Sequence, residues 1–173
     1  ESVWEMGRQG INEYQNMESR EPEETDRAFT DSGNFYFRAS WKEETTFVHF
    51  HCGTLGAGHG HGDKLHFDIF SRGEDFLMDA GRYTYVSGED RYEFKSPRAH
   101  NTILVDDREY YVPEDSWECR DLTRGINQKF WSDSRYGYAE GAHLAYQAAE
   151  GVLVNRRLIF LKPDIVVVAD ELY

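Results

Sequence analysis

The sequence predicts an all-β protein, an antiparallel β-sandwich. Three observations lead there. Short runs alternate apolar and polar residues with period two, the pattern that lines one face of a pleated strand. Turn residues separate those runs, and no long segment carries the 3.6-residue period of an amphipathic helix. Aromatic residues make up 15% of the 173 residues, including 11 Tyr and 11 Phe, a composition suited to strands or to a sugar-binding surface.

Residues 1–32 read as an acidic connector. Glu18, Glu21, Glu23, Glu24 and Asp26 crowd around Pro22, a run that solvates better than it packs. Val3, Trp4, Met6, Ile11 and Tyr14 are spaced too loosely for more than a short helix. The sandwich domain is expected over 33–173. Phe35 and Phe37 alternate with Tyr36 and Arg38. Next, Phe47, His49 and His51 share one face while Val48 and Phe50 share the other. Leu65, Phe67 and Ile69 alternate with His66 and Asp68, and a turn over 72–75 returns the chain through Phe76, Leu77 and Met78. Further strands are expected over 101–105, 128–132 and 136–139. Residues 152–161 and 165–169 form a closing hairpin around Lys162-Pro163-Asp164. Its last run, Ile165-Val166-Val167-Val168-Ala169, is apolar on both faces, which predicts a central strand between layers.

Charge narrows the function. With 19 Lys and Arg against 32 Asp and Glu, the net charge is −13, which argues against nucleic acid or an anionic membrane as partner. No apolar run approaches the length of a membrane span. Cys52 and Cys119 are too few for a disulfide framework, and Cys52, in an apolar run, is expected as a buried free thiol. The chain opens on Glu1, as expected of a trimmed sequence.

The chemistry concentrates in residues 53–101, which hold His59, His61, His66 and His100. Gly58-His59-Gly60-His61-Gly62-Asp63 has glycine at every second position. That is a poor strand but a loop able to take unusual angles and approach a ligand closely. Two imidazoles and a carboxylate form a familiar zinc set. Asp79 ends one strand and His100 begins another, so His61, Asp79 and His100 can converge on one rim of a sheet. The same letters also fit a run of hydrogen-bonding histidines. For His49, His51 and His143 that plainer reading wins. Arg82 and Arg98 carry guanidinium forks that suit a substrate carboxylate, or else they form surface ion pairs. Asn101 either donates to substrate or holds the strand end, and Asp63 can orient His59 or His61.

Two families share these letters. Cupins carry Gly-X5-His-X-His followed by a Glu. Here Gly53, His59 and His61 match, but His66 replaces the Glu, and no Pro-X-Gly turn accompanies His100. A longer set fits better: Asp31-Ser32-Gly33-Asn34-Phe35, Gly58-His59-Gly60-His61-Gly62-Asp63, Asp79-Ala80-Gly81-Arg82-Tyr83, Ala99-His100-Asn101-Thr102, and Asp164-Ile165-Val166-Val167-Val168. In order and spacing this resembles the heparinase II/III-like polysaccharide lyases over most of 31–173. The resemblance implies a piece of a larger β-sandwich that partners a helical toroid of the same enzyme. It implies β-elimination on an anionic, uronate-containing polysaccharide, periplasmic or secreted location, and one zinc of structural role. It matches His59 to the catalytic histidine, Tyr83 to a tyrosine near the cleavage point, and His61, Asp79 and His100 to the zinc ligands. Homo-oligomerisation stays open. A cupin-like metal enzyme and a non-catalytic carbohydrate-binding sandwich are the alternatives.

Overall fold

The computed structural model describes residues 2–56, 58–120 and 123–173. Two antiparallel sheets pack face to face. The first holds β1 (Arg27–Phe29), β2 (Asn34–Arg38), β3 (Phe47–His51), β4 (Phe67–Ser71) and β5 (Glu74–Leu77), in that spatial order. The second holds β6 (Ile126–Ser132), β7 (Tyr136–His143), β8 (Val154–Leu161) and β9 (Ile165–Leu172), also in order. Each strand pairs with its neighbour in sequence, so both sheets are meanders. The helices are α1 (Ser2–Gln15), α2 (Glu89–Lys95) and α3 (Gln147–Glu150), with a 3-10 turn at Pro97–Ala99.

The period-two alternation works as read. In β2 and β3 every second residue is buried, and Phe35, Phe37, Val48 and Phe50 are fully shielded. They meet Phe130, Ala139, Leu158 and Phe160 of the second sheet. Phe130 bridges the layers, its ring centroid 6.0 Å from Phe35 and 5.2 Å from Phe37. Gly137 is required there, because a Cβ would stand 2.3 Å from the Phe37 ring. Cys52 is a buried free thiol, and burial pushes its pKa up to about 12, so it acts as a small apolar filler.

Several local expectations change. The sheet starts inside the segment read as connector, where β1 pairs with β2. Asp26 is likewise not solvated: its carboxylate takes the Lys162 ammonium at 2.7 Å and the Arg38 backbone N–H at 3.0 Å. Upstream, α1 is mostly exposed from Trp4 onward and kinked at Gly7. Residues 101–105 form no strand, because side chains rather than a ladder hold that backbone. The Asn101 N–H donates to His66 Nδ1 at 3.0 Å, and the Thr102 hydroxyl donates to the Lys64 carbonyl. In their neighbourhood α2 appears unannounced, since seven residues are too few to show a helical period. Finally, β9 is the edge of its sheet. Val166 and Val168 pack on the core, while Ile165 and Val167 face outward at 57% and 43% exposure. An all-apolar run thus fills one layer only.

Arg156 joins the layers to the loops. It is buried on β8 and grips Asp170 of β9 with two nitrogens, at 2.6 and 2.8 Å. Its Nη1 also donates to the carbonyls of Leu65 and Asn101, at 2.6 and 2.5 Å.

His143 gives a test of the core. It is fully buried against Tyr110 and Tyr146; Nδ1 accepts the Ala145 N–H at 3.2 Å, and Nε2 has no partner among the described residues. Burial holds the imidazole neutral, pushing its pKa down from 6.5 to about 4. Between those values the unfolded chain binds more protons than the native one. Stability is therefore intact above pH 6.5 and falls on acidification towards pH 4, by about 3 kcal/mol for this group. His143→Phe should flatten that part of the stability–pH profile in urea denaturation. An identical profile in the variant would assign the acid loss elsewhere.

Candidate active site and metal centre

The loop of alternating glycines lies across the ends of β3 and β4. None of Gly58, Gly60 and Gly62 takes a left-handed φ; each is needed for close packing instead. A Cβ on Gly58 would stand 2.9 Å from the Trp117 carbonyl, on Gly60 2.6 Å from Leu55, and on Gly62 2.8 Å from Pro97 and Tyr111. Lys95 at the end of α2 fastens both ends of this loop. Its Nζ donates to the Gly58 carbonyl at 3.1 Å, and its own carbonyl accepts the Gly62 N–H at 2.8 Å.

So placed, His61 meets His100 and Asp79. One donor atom from each lies within 4.8 Å of the others. His61 Nδ1 is 3.3 Å from His100 Nε2, which is 3.3 Å from Asp79 Oδ2. The surroundings turn these atoms inward. His100 Nδ1 donates to the Ser96 carbonyl at 2.8 Å, so Nε2 faces the cluster. Asp79 Oδ1 accepts the Gly81 N–H at 2.6 Å, so Oδ2 is the oxygen left for it. A tetrahedral zinc with bonds of about 2.0–2.1 Å separates its ligand atoms by about 3.4 Å, close to both measured contacts. The donor set can hold such an ion.

Electrostatics agree. Burial, then the neighbouring His100, pushes the His61 pKa down to about 4. Burial also opposes charge on His100, but the Asp79 carboxylate and the Ser96 carbonyl outweigh it and raise the pKa. Burial would raise Asp79, yet hydrogen bonds from His100 and the Gly81 amide bring it below the ordinary value.

His66 stands beside this cluster but is already occupied. Nε2 donates to Asp68 Oδ1 at 2.8 Å, and Nδ1 accepts the Asn101 N–H. The ligand set of a cupin, which would join His59, His61 and His66, is therefore not assembled. Asp63 does not orient His59; its carboxylate stands 3.7 Å from His51 Nε2. His49 and His51 hydrogen-bond within the outer face of the first sheet, through Asn34 and Asp68.

His59, two residues before His61 in the same loop, is exposed. Its ring meets Tyr85 and Trp117 edge-on, with centroids at 5.6 and 5.3 Å, and the Tyr85 hydroxyl stands 3.5 Å from Nδ1. Tyr85 and Trp117 stack at 5.2 Å. Sequence reading selected Tyr83 and missed both of these rings. Tyr83 has a left-handed backbone, φ 50°, is 70% exposed, and stacks on Phe94. The signal for Tyr85 was available, two residues along the same segment; nothing in sequence ties Trp117 to His59.

Of the three expected substrate contacts, Arg82 alone stays available. Its guanidinium lies 4.0 Å from the Tyr85 ring centre. Arg98 is held by Asp107 Oδ1 at 3.0 Å and Glu109 at 2.8 Å, the ion-pair alternative. The Asn101 amide donates to the carbonyls of Phe67 and Met78, at 3.0 and 3.3 Å, and so holds strand ends together.

The heparin-sulfate lyase of Pedobacter heparinus is 25% identical over 108 residues, covering 58% of this chain and 16% of that protein. The heparin-sulfate lyase of Bacteroides stercoris is 28% identical over 91 residues, covering 50% of this chain and 14% of that protein. The chain thus spans about a sixth of the length of these relatives. In structure it resembles the heparan sulfate lyase HepC of Pedobacter heparinus, with TM-score 0.74, 19% identity, and coverage of 91% of this chain and 23% of that one. A heparinase III gene product gives TM-score 0.75 at 21% identity, covering 92% of this chain and 24% of that one. At such identities the structural likeness establishes the fold, and the sequence pattern establishes the family. The pattern described as heparinase II/III-like, C-terminal, matches residues 21–173, and the chain belongs to that family.

Proposed function

We propose that this chain is the zinc-bearing sandwich of a polysaccharide lyase that cleaves a uronate-containing polymer by β-elimination. The observation that carries the reading is the meeting of His61, Asp79 and His100, distant in sequence, on a loop that also carries the exposed His59, whose aromatic wall meets Arg82. The names of the heparin-sulfate lyase relatives favour a sulfated glycosaminoglycan as substrate.

The chemistry matches these side chains. The C5 proton of a uronate becomes acidic once its carboxylate is neutralised, which a guanidinium such as Arg82 does well. A base takes that proton, its electron pair forms the C4–C5 double bond, the C4–O4 bond breaks, and an acid protonates O4. His59 and the Tyr85 hydroxyl at 3.5 Å supply a proton-transfer pair. His61, Asp79 and His100 would hold the zinc, which supplies positive charge and fixes the loop that carries His59. A helical domain of the same enzyme closes the cleft and brings further groups. A polymer too large to cross a membrane suits a periplasmic or secreted enzyme.

An enzyme carrying this sandwich together with its helical domain should release unsaturated uronate ends, seen as rising ultraviolet absorbance, from heparan sulfate. Affinity for the polymer with no unsaturated product would sink the lyase reading in favour of a carbohydrate-binding module.

A further inference from the structure

His59 and Trp117 come from separate loops, yet one buried nitrogen holds the backbone of both. Lys95, the last residue of α2, is 1% exposed. Its Nζ donates to the Gly58 carbonyl at 3.1 Å and to the Ser116 carbonyl at 3.2 Å, with the Tyr111 ring centre 5.8 Å away. The Gly58 carbonyl belongs to the peptide unit that leads into His59, and the Ser116 carbonyl to the one that leads into Trp117. A peptide unit is planar, so fixing its oxygen fixes the plane from which the next residue departs. His59 and Trp117 are the two residues whose rings meet edge-on at 5.3 Å.

The neighbourhood is built around the same point. The turn that carries Trp117 is set by Asp115, whose Oδ1 accepts the N–H groups of Trp117 and Glu118 at 2.6 and 2.8 Å. Ser116 Oγ is 2.8 Å from Ser87 Oγ, which ties this turn to the segment of Tyr85. Arg91, one turn earlier on α2, shares the Ser116 carbonyl at 3.4 Å, and its guanidinium lies 5.3 Å from the Tyr85 ring centre. An ammonium is a costly residue to bury, because both of its hydrogen bonds go to neutral carbonyls and no opposite charge offsets its removal from water. An apolar side chain of similar volume fills such a space without that penalty, but it cannot join two carbonyls.

We propose that Lys95 is a positioning residue: through the Gly58 and Ser116 carbonyls it sets His59 against Trp117 and so fixes the direction in which the imidazole meets its proton. This deepens the lyase reading and rests on it for the reaction served. Lys95 itself touches no substrate. Its effect reaches the chemistry through two peptide planes, and it acts on His59 separately from the zinc ligands. The link to the metal loop at Gly62 uses the Lys95 backbone carbonyl, which survives replacement of the side chain.

The test compares Lys95→Met, Lys95→Gln and Trp117→Phe with the wild type, each loaded with zinc. The Trp117 indole shifts the carbon-bound ring protons of His59 in NMR spectra, and Trp117→Phe identifies that shift. At a single pH, Lys95→Met should move these resonances most of the way to their Trp117→Phe positions while zinc content is unchanged. In an enzyme that also carries the helical domain, kcat should fall by about 10²-fold with KM near its wild-type value, the effect of a displacement of about 1 Å. Lys95→Gln keeps two N–H donors and should regain part of both. His59 resonances that stay put in Lys95→Met would overturn the proposal. So would loss of zinc along with the shift, which would make Lys95 a support of the metal loop. Should Lys95→Met fail to fold, the wild type decides: the Lys95 ammonium nitrogen should show through-hydrogen-bond couplings to the carbonyl carbons of both Gly58 and Ser116, and absence of either overturns the bridge. The NMR readouts need no turnover, so a chain that keeps its His59 shift in an enzyme releasing no unsaturated product would end the lyase reading and leave the positioning role standing.

Discussion

Replacing His59 by alanine in an enzyme that carries this sandwich should lower turnover by about 10²–10⁴-fold while zinc content is unchanged. The two effects separate because His59 is exposed and touches Tyr85 and Trp117, whereas the metal-capable donors are His61, Asp79 and His100. The measurement pairs initial rates of ultraviolet product with metal analysis of the same sample. Full activity in His59→Ala would remove this imidazole from the chemistry. Loss of activity together with zinc would make it a positioning residue for the metal loop. Tyr85→Phe should share much of the loss, because the hydroxyl 3.5 Å from His59 Nδ1 goes and the ring that faces Arg82 and Trp117 stays.

The second large effect concerns the metal. His100→Ala and His61→Ala should each take zinc from one ion per chain to near none. With free zinc a thousandfold above its Kd, the wild type gains about 4 kcal/mol of apparent stability, which His100→Ala forfeits. That difference corresponds to a Tm lower by about 8–16 °C in a chain of this size. Chelation of the wild type should reproduce it. His66→Gln is the contrasting variant: it loosens the bond to Asp68 but keeps the ion, whereas a cupin-like ligand set would lose it. A wild type that takes up no zinc on reconstitution would end the assignment.

What was legible in sequence is what local periodicity or shared motif letters encode. Alternation located β2 and β3, because a pleated strand exposes every second residue whatever surrounds it. The convergence of His61, Asp79 and His100 was legible from a loop and two expected chain reversals, and it holds although no strand begins after His100. The misses have a common cause, dependence on distant partners. Arg98 could not be told from a substrate contact until Asp107 and Glu109 were seen to hold it. Residues 101–105 look like a strand, but their hydrogen bonds go to His66 and Lys64. Trp117 joins the His59 wall from a segment with no period or motif of its own. The glycines of the histidine loop were expected to allow unusual angles, which they do not take; neighbouring side chains and carbonyls show that they allow close packing.

Arg156 has a consequence in time rather than in space. Its partners Leu65 and Asn101 lie far away along the chain, while Asp170 lies just across the β8–β9 hairpin. Closing the hairpin is quick, but bringing Leu65 and Asn101 to the same guanidinium requires large loops to close first. The backbone that carries His100 is thus pinned only after both sheets have docked. Metal-binding competence should emerge late in refolding, behind the formation of β8 and β9, and so report that the last long-range contacts have been made.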